Sequence, residues 1–447
     1  MRFELPHPFV LLLAAVSVAA ALTWVIPSGE YQRRTDEATG RTVVIAGTYA
    51  RLPATPVGPM AAVLAVPRGV IAGADVIVSI LFVGGAFALL DATGALSRLV
   101  GALIGFTRRP RTIVIVISLA FATLGAVENM QEEIVALVPV LMLLSRGLGF
   151  GPVTALAMSA GAAAVGAAFG PTNPFQTGIA LRFAELPPLT IPALRFGLLA
   201  AAVATWIAWT LAMTPRDGAR QTGIGGDNPS ALPVTAGPAT GRDALLLAML
   251  LTAFGPYVYG VLRLDWGFNE LSAIFLVAGF AVGLVSGRDV TATTTGLLKG
   301  MESMLAAALF VGVARAISIV LTDGRVIDTI VYSLAVPLSG LPGTAAALLM
   351  APMHTLLHIP VPSVSGQAVL TMPIMAPLAD LLGITRDAAV IAYQTGAGLA
   401  DLFVPTNGAL LAMLLSAGVP YGRWLRFAIP GALLVGVIGA IGVMLSA

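Results

Sequence analysis

The chain has 447 residues, of which 57% are hydrophobic and 10% charged, with a formal net charge of +2 and a mean hydropathy of +0.93. A soluble domain carries about a quarter charged residues, so the composition excludes an ordinary soluble protein, and the near-neutral balance argues for no nucleic-acid partner. The chain has no cysteine, which removes disulfides, thiolate metal sites and sulfur redox chemistry.

In chain order, apolar stretches cover Phe9–Ile26, Ile77–Leu90, Ile113–Ala122, Phe196–Met213, Leu245–Val258, Ile274–Val285, Met304–Leu321 and Phe427–Leu445. Several approach the roughly 20 residues that cross a bilayer as helix. The expected fold is an all-α polytopic membrane protein with about ten to twelve crossings, multi-pass in the cytoplasmic (inner) membrane. A β-barrel would instead alternate in short strands. The first segment reads as a retained membrane helix rather than a signal peptide, because so many spans follow. Ser28 to Pro53 is polar, and Val43 to Ile45 hints at a small surface hairpin. Arg108-Arg109-Pro110-Arg111 reads as a cytoplasmic turn. A Gly-, Pro-, Thr- and Asp-rich linker over 214–242 separates a first membrane half, 1–213, from a second, 243–447.

One triplet occurs twice, as Pro171-Thr172-Asn173 within 169–178 and as Pro405-Thr406-Asn407 within 403–409, and each copy interrupts an apolar segment. Irregular backbone at membrane depth survives only where protein or a water-filled cavity surrounds it. Two such breaks at matching places point to a transporter's binding site. Sliding the chain by the same 234 residues also pairs Val135 with Val369, Pro139 with Pro373, Leu144 with Leu378, Gly149 with Gly383 and Phe169 with Phe403. The expectation is two internal repeats, each with a re-entrant hairpin and a broken transmembrane helix. The hairpin tips fall at 125–133, which carries Glu128, Gln131, Glu132 and Glu133, and at 358–367, which carries Pro360, Pro362, Ser363, Ser365, Gly366 and Gln367.

A helix break exposes carbonyls at one half-helix end and amides at the other. Carbonyls with Thr and Asn side chains suit Na⁺, and the half-helix N-terminus suits a substrate carboxylate. Thr172, Asn173, Thr177, Thr406 and Asn407 are therefore the leading ligands, joined by Ser363, Ser365, Gly366 and Gln367 at the second tip. Alternatively, each Asn caps its broken helix and touches no ligand. Glu132, Glu133, Asp401 and His358 are the candidates for ion or proton coupling, because carboxylates at membrane depth are costly and histidine titrates near neutrality. Arg315 would neutralise an anionic substrate, snorkel, or pair with Asp401. His354 and His358 have metal-helix spacing, but Thr355 stands where a zinc hydrolase needs Glu and no third ligand is evident. No metal, no other cofactor and no catalytic constellation is expected.

Gln131-Glu-Glu133 before a Pro-containing helix, Phe169 to Ala180, Pro362 to Ala368 with Thr371 to Asp380, Asp323 to Ile330, and Pro405-Thr-Asn407 with Gly418 to Phe427 together resemble the YfcC-like branch of the C4-dicarboxylate anaerobic carrier family. The likeness spans nearly the whole chain outside the linker. It implies membership of the ion transporter superfamily, a scaffold domain plus a transport domain with two opposed hairpins, and elevator-like movement of carboxylates with Na⁺ or H⁺. It places Thr172, Asn173, Thr406, Asn407, Ser363, Ser365 and the Glu132/Glu133 tip at the moving site, and implies a homodimer. The first tip, Glu-Asn-Met-Gln-Glu-Glu, and the Pro-Val-Pro-Ser of the second depart from the family's smaller, more flexible tips.

The expected function is thus secondary active transport of a small carboxylate-bearing solute, a dicarboxylate or an amino acid, with the lipid bilayer and the coupling ion as its other partners. One alternative is a basic amino-acid exchanger that receives the cationic side chain on Glu132 or Glu133. An intramembrane enzyme lacks a nucleophile–base pair or a metal triad here, and a passive channel would not show saturable counterflow.

Overall fold

The computed structural model describes residues 8–35, 42–106, 109–213, 238–264 and 266–447. Residues 214–237 of the expected linker, and Arg108 of the basic turn, lie outside them. Among the described residues, eight helical stretches are long and apolar enough to cross a membrane. The expected ten to twelve crossings exceed this count because several apolar helices are short, among them Phe9–Val25, Pro59–Ala72 and Gly408–Ala417.

The first layer begins with α1 (Pro8–Val25). A polar excursion follows, in which β1 (Gly29–Glu30) pairs with β4 (Ala50–Arg51), and β2 (Arg33–Thr35) pairs antiparallel with β3 (Thr42–Val44). Next come α2 (Pro59–Ala72), α3 (Ala74–Asp91) and α4 (Ala95–Phe106). From the second half, α11 (Gly241–Leu264), α12 (Phe268–Val285), the long α13 (Val290–Asp323) and α14 (Ile327–Ala335) complete the layer. The α13 helix packs along α1, α2 and α3. Small residues allow this closeness, as in membrane bundles generally: a Cβ on Gly69 would meet the Gly312 carbonyl oxygen at 2.4 Å. The polar excursion docks on α14, where Asp328 accepts from the Tyr31 amide at 2.9 Å and from Arg33 at 2.8 Å. The Tyr49 ring stacks on Tyr332 at 4.2 Å. Burial, with Asp328 second, raises the Tyr31 phenol above its ordinary range.

The second layer carries both breaks. α5 (Pro110–Glu128) ends at Asn129, whose φ of 60° is left-handed, and α6 (Glu132–Gly147) departs from the Asn129–Gln131 turn. The next helix is interrupted twice. α7 (Pro152–Leu156), a π-helical turn (Ala157–Gly161) and α8 (Ala162–Phe169) run to Gly170–Asn173, then a second π turn (Pro174–Gly178) leads into α9 (Ile179–Phe183). A π turn misaligns backbone carbonyls, and the Trp206 indole on α10 (Pro192–Met213) donates to the Ala157 carbonyl at 2.9 Å. In the second half, α15 (Gly343–His358) and α16 (Val364–Leu381) meet at residues 359–363. α17 (Arg386–Tyr393) and a π turn (Gln394–Gly398) run to a break at Asp401–Asn407, followed by α18 (Gly408–Ala417) and α19 (Tyr421–Ser446).

Two further contacts set the geometry. A Cβ on Gly125 would lie 2.0 Å from the Ala163 carbonyl oxygen, so α5 and α8 cross in backbone contact just before the first break. The layers meet where α3 and α13 face α6 and α18.

Candidate functional site

The second break is built around Asp401, which is buried. Asn407 caps α18 by accepting the Leu410 amide at 3.0 Å on Oδ1. Its Nδ2 is thereby turned to donate to Asp401 Oδ1 at 2.7 Å. His358, at the last turn of α15, brings Nε2 to the same oxygen at 2.9 Å. Gln131, from the turn between α5 and α6, donates to Asp401 Oδ2 at 2.6 Å. On the far side of the imidazole, His358 Nδ1 meets Gln367 Oε1 at 2.8 Å. Gln367 Nε2 then reaches the His354 carbonyl at 2.8 Å and His354 Nδ1 at 3.1 Å. One chain of polar contacts thus runs from the first turn, through the second break, to the second turn. Burial in low dielectric makes such a network costly to leave half-satisfied.

The first break has the same triplet and a different filling. Asn173 Oδ1 accepts the Phe175 and Gln176 amides, both at 2.9 Å, while its Nδ2 donates to the Gly125 carbonyl and Asn129 Oδ1, both at 3.1 Å. Thr177 donates to the Gly170 carbonyl at 2.6 Å and accepts Gln394 Nε2 at 2.6 Å. Behind it, Arg195 bridges Gln394 Oε1 at 2.7 Å and Asp387 at 2.9 Å. The Arg195 side chain is 2% exposed and that of Asp387 15%, so the guanidinium is shielded from water and the carboxylate partly so.

Several sequence candidates have other employment. Thr177 is sealed as just described, and the Thr406 hydroxyl donates to the Ile359 carbonyl at 2.7 Å. Ser363 is the N-cap of α16, accepting the Gly366 amide at 3.2 Å. Ser365 is half-buried, Gly366 exposed and Thr172 exposed. Thr172 makes no side-chain hydrogen bond among the described residues. Glu133 is buried and accepts the Gln131 amide at 3.1 Å, which shapes the turn. Glu132 is half-buried and within electrostatic reach of Asp401, Arg315 and Asp75. The expected pairing of Arg315 with Asp401 is not seen: Arg315 donates to the Ala72 carbonyl at 2.6 Å, at the joint between α2 and α3.

The carbonyls expected to suit Na⁺ are largely engaged. Trp424 donates to the Leu402 carbonyl at 2.7 Å, Tyr421 to that of Phe403, and Gln394 to that of Ala168 at 3.2 Å. Among the described residues, no three His, Asp or Glu side chains gather as a metal site.

Two cavities bear on the second break and on the meeting of the layers. One of about 20 Å³, the space of a single water, is lined by Gln131, Asp401, Asn407 and Trp424 among others. The other, about 540 Å³, lies between the layers, with Phe87, Asp91, Ala136, Arg146, Ser303 and Ser416 in its walls. This is the size of small-molecule sites, roughly 300–1,000 Å³. Ala136 in its wall is one helical turn from Glu132.

Sequence reasoning missed Gln131 as a ligand of Asp401, and His354, Gln394, Arg195 and Asp387 as members of buried networks. One signal was available: Gln-Thr-Gly stands at 176–178 and again at 394–396, and Gln176 Nε2 donates to the Gln394 carbonyl at 3.2 Å.

Apolar helices broken around buried polar groups, beside a substrate-sized cleft, are the anatomy of a multi-pass membrane transporter. The profile of the C4-dicarboxylate anaerobic carriers matches residues 5–447. The chain belongs to this family, among its YfcC-like members. It is 30% identical over 383 residues to an *Escherichia coli* protein described as "Putative basic amino acid antiporter YfcC", covering 81% of this chain and 75% of that one. It is 28% identical to a *Haemophilus influenzae* protein described as uncharacterized, over 99% of this chain and 96% of that one. Among solved structures, the YdaH transporter of *Alcanivorax borkumensis* aligns over 98% of both chains at 16% identity and a TM-score of 0.44. MtrF of *Neisseria gonorrhoeae*, from a class of antimetabolite efflux pumps, aligns over 98% of this chain and 94% of that one at 14% identity and a TM-score of 0.41.

Proposed function

We propose that the protein is an ion-coupled secondary transporter of a small carboxylate-bearing solute, moving it across the cytoplasmic membrane by an elevator-type displacement of the second layer against the first. The observation that carries this reading is the convergence of both helix turns and the second break on Asp401. Such a cluster couples parts that move together, and binding at a broken helix near the midplane is the common solution in secondary transporters. The two halves are read as repeats. Pro139 and Pro373 lie within α6 and α16, the second arms of the two turns, which supports that reading. The α3–α13 face is then the scaffold, and the 540 Å³ cleft is the route from one membrane face toward Glu132. The exposed Thr172 hydroxyl and the half-buried Ser365 are the groups left free to meet a solute carboxylate.

The test is uptake of radiolabelled succinate and arginine into proteoliposomes under imposed pH or Na⁺ gradients. The reading expects saturable accumulation above equilibrium that follows one gradient. Uptake indifferent to both would defeat it.

A second reading, exchange of basic amino acids, draws on Asp91 in the cleft wall, on Glu132 one helical turn beyond Ala136 of that wall, and on the description of the E. coli relative. Under it, Glu132→Gln abolishes arginine exchange and spares succinate; the reverse pattern rejects it.

A further inference from the structure

We infer that His358 and Asp401 share one exchangeable proton, placed by the amide of Gln367, and that this proton latches the two helix turns together. The inference rests on the transporter reading only in naming this proton as the coupling ion; the site itself follows from donors and acceptors.

A carbonyl can only accept, so the Gln367 atom 2.8 Å from the His354 oxygen is the amide nitrogen. The other atom, facing His358 Nδ1 at 2.8 Å, is therefore the amide oxygen, and it too can only accept. His358 Nδ1 carries a proton. A neutral imidazole then presents a bare lone pair at Nε2, and Nε2 faces Asp401 Oδ1 at 2.9 Å. Two lone pairs do not hold that distance without a proton between them. The count is one, whether it is drawn on the imidazole or on the carboxyl.

The remaining contacts are fixed as well. The Asn407 cap orients its nitrogen toward Asp401 Oδ1, and Gln131 serves Oδ2. His354 Nδ1 accepts from Gln367, so its proton is on Nε2, which is buried without a partner among the described residues. Nothing else in the cluster replaces the shared proton.

Adding a proton from water closes the chain Gln131–Asp401–His358–Gln367. Returning it to water leaves imidazole and carboxylate opposed, and the contact opens. The break belongs to α17 and α18, whereas His358 and Gln367 flank the α15–α16 turn, so the opening loosens that turn, which the Thr406–Ile359 and Tyr393–Val364 hydrogen bonds still tether. The charged and titratable groups facing the pair are Glu132 from α6, with Arg315 and Asp75 beyond it, and Tyr393 from α17, whose hydroxyl donates to the Val364 carbonyl at 2.5 Å. His354 lies on its own helix, and Glu133 and Glu128 lie behind Glu132.

The experiment is ¹⁵N NMR of the full chain in nanodiscs, labelled at its three histidines, His7, His354 and His358. The expected spectrum has one histidine protonated at Nδ1 at every pH and gaining or losing an Nε2 proton in one step. Asp401→Asn should remove or displace that step, and Gln367→Met should release the Nδ1 tautomer. Glu132→Gln should leave the step in place. A His358 that stays in the neutral Nε2–H form, or a step that follows Glu132→Gln instead of Asp401→Asn, overturns the site.

The latch has its own readout. The chain lacks cysteine, so Ser365→Cys gives a unique thiol at the second turn. Its maleimide labelling should accelerate with pH more steeply in the native background than with Asp401→Asn, which shares the same thiolate chemistry. Equal slopes overturn the latch. Both measurements are made without transport, so their failure is separate from failure of gradient-driven uptake.

Discussion

The two helix breaks share Pro-Thr-Asn and differ in what fills them. At Gly170–Asn173 the filling is neutral: Asn173 caps and bonds Asn129, while Thr177 and Gln394 seal the carbonyl end. An Arg195–Asp387 pair is set back behind Gln394. At Asp401–Asn407 a carboxyl lies in the break itself and gathers the break's own asparagine with a histidine and a glutamine from two other places in the chain. The same local solution to a broken helix thus supports a permanent joint in one case and a joint that responds to a proton in the other. The triplet specifies where the chain breaks. The residue four positions before the proline specifies what the break does: Asp401 in one half, Ala167 in the other.

Removing each filling sharpens that contrast. The largest effect is expected from Asp401→Ala, which strands three donors in the interior. Breaking a buried charged network in this way costs about 3–5 kcal/mol, so a lower melting temperature and loss of uptake should appear together. Arg195→Met comes next. It leaves Asp387 with the Thr190 hydroxyl in place of its charged partner and should destabilise by about 3 kcal/mol, but any residual uptake should keep the wild-type pH profile, since no proton is exchanged at that break. The matched caps follow. Asn173→Ala and Asn407→Ala should each lose about 1–2 kcal/mol by thermal unfolding, and only Asn407→Ala should shift the pH dependence of uptake. The smallest stability effects are at the threonines. Thr406→Ala gives up its bond to Ile359, about 1 kcal/mol, with KM unchanged. Thr172→Ala should stay within about 0.5 kcal/mol and raise KM. If Thr406→Ala and Thr172→Ala exchange these phenotypes, the solute sits at the second break rather than the first.

What could be read from the sequence was what is decided within a few residues. Proline stops a helix and asparagine caps the next one two or three residues on, so both breaks and both turns were evident in the chain. The hairpin of β2 and β3 also announced itself through Val43 to Ile45. The partners were not legible, because they are set by packing. Gln131 and Asp401 are 270 residues apart, and Arg195 and Gln394 are 199 apart. The glycines that bring α5 and α8 together are common in any membrane helix, so Gly125 gave no sign that it faces the Ala163 carbonyl. Arg315 shows the same limit. A lone arginine in an apolar stretch reads as a counter-charge, and here it satisfies the bent joint at Ala72.

The Trp424 indole, hydrogen-bonded to the Leu402 carbonyl, also gives the molecule an optical signal of its own. The chain has five tryptophans, and this one is fully buried against the titratable break. Its emission should lie to the blue while the carbonyl holds it in a dry pocket, and should move to the red when the α15–α16 turn loosens from the break and water enters. Replacing the other four with phenylalanine would leave a protein whose second break can be watched in real time by fluorescence, with no dye attached.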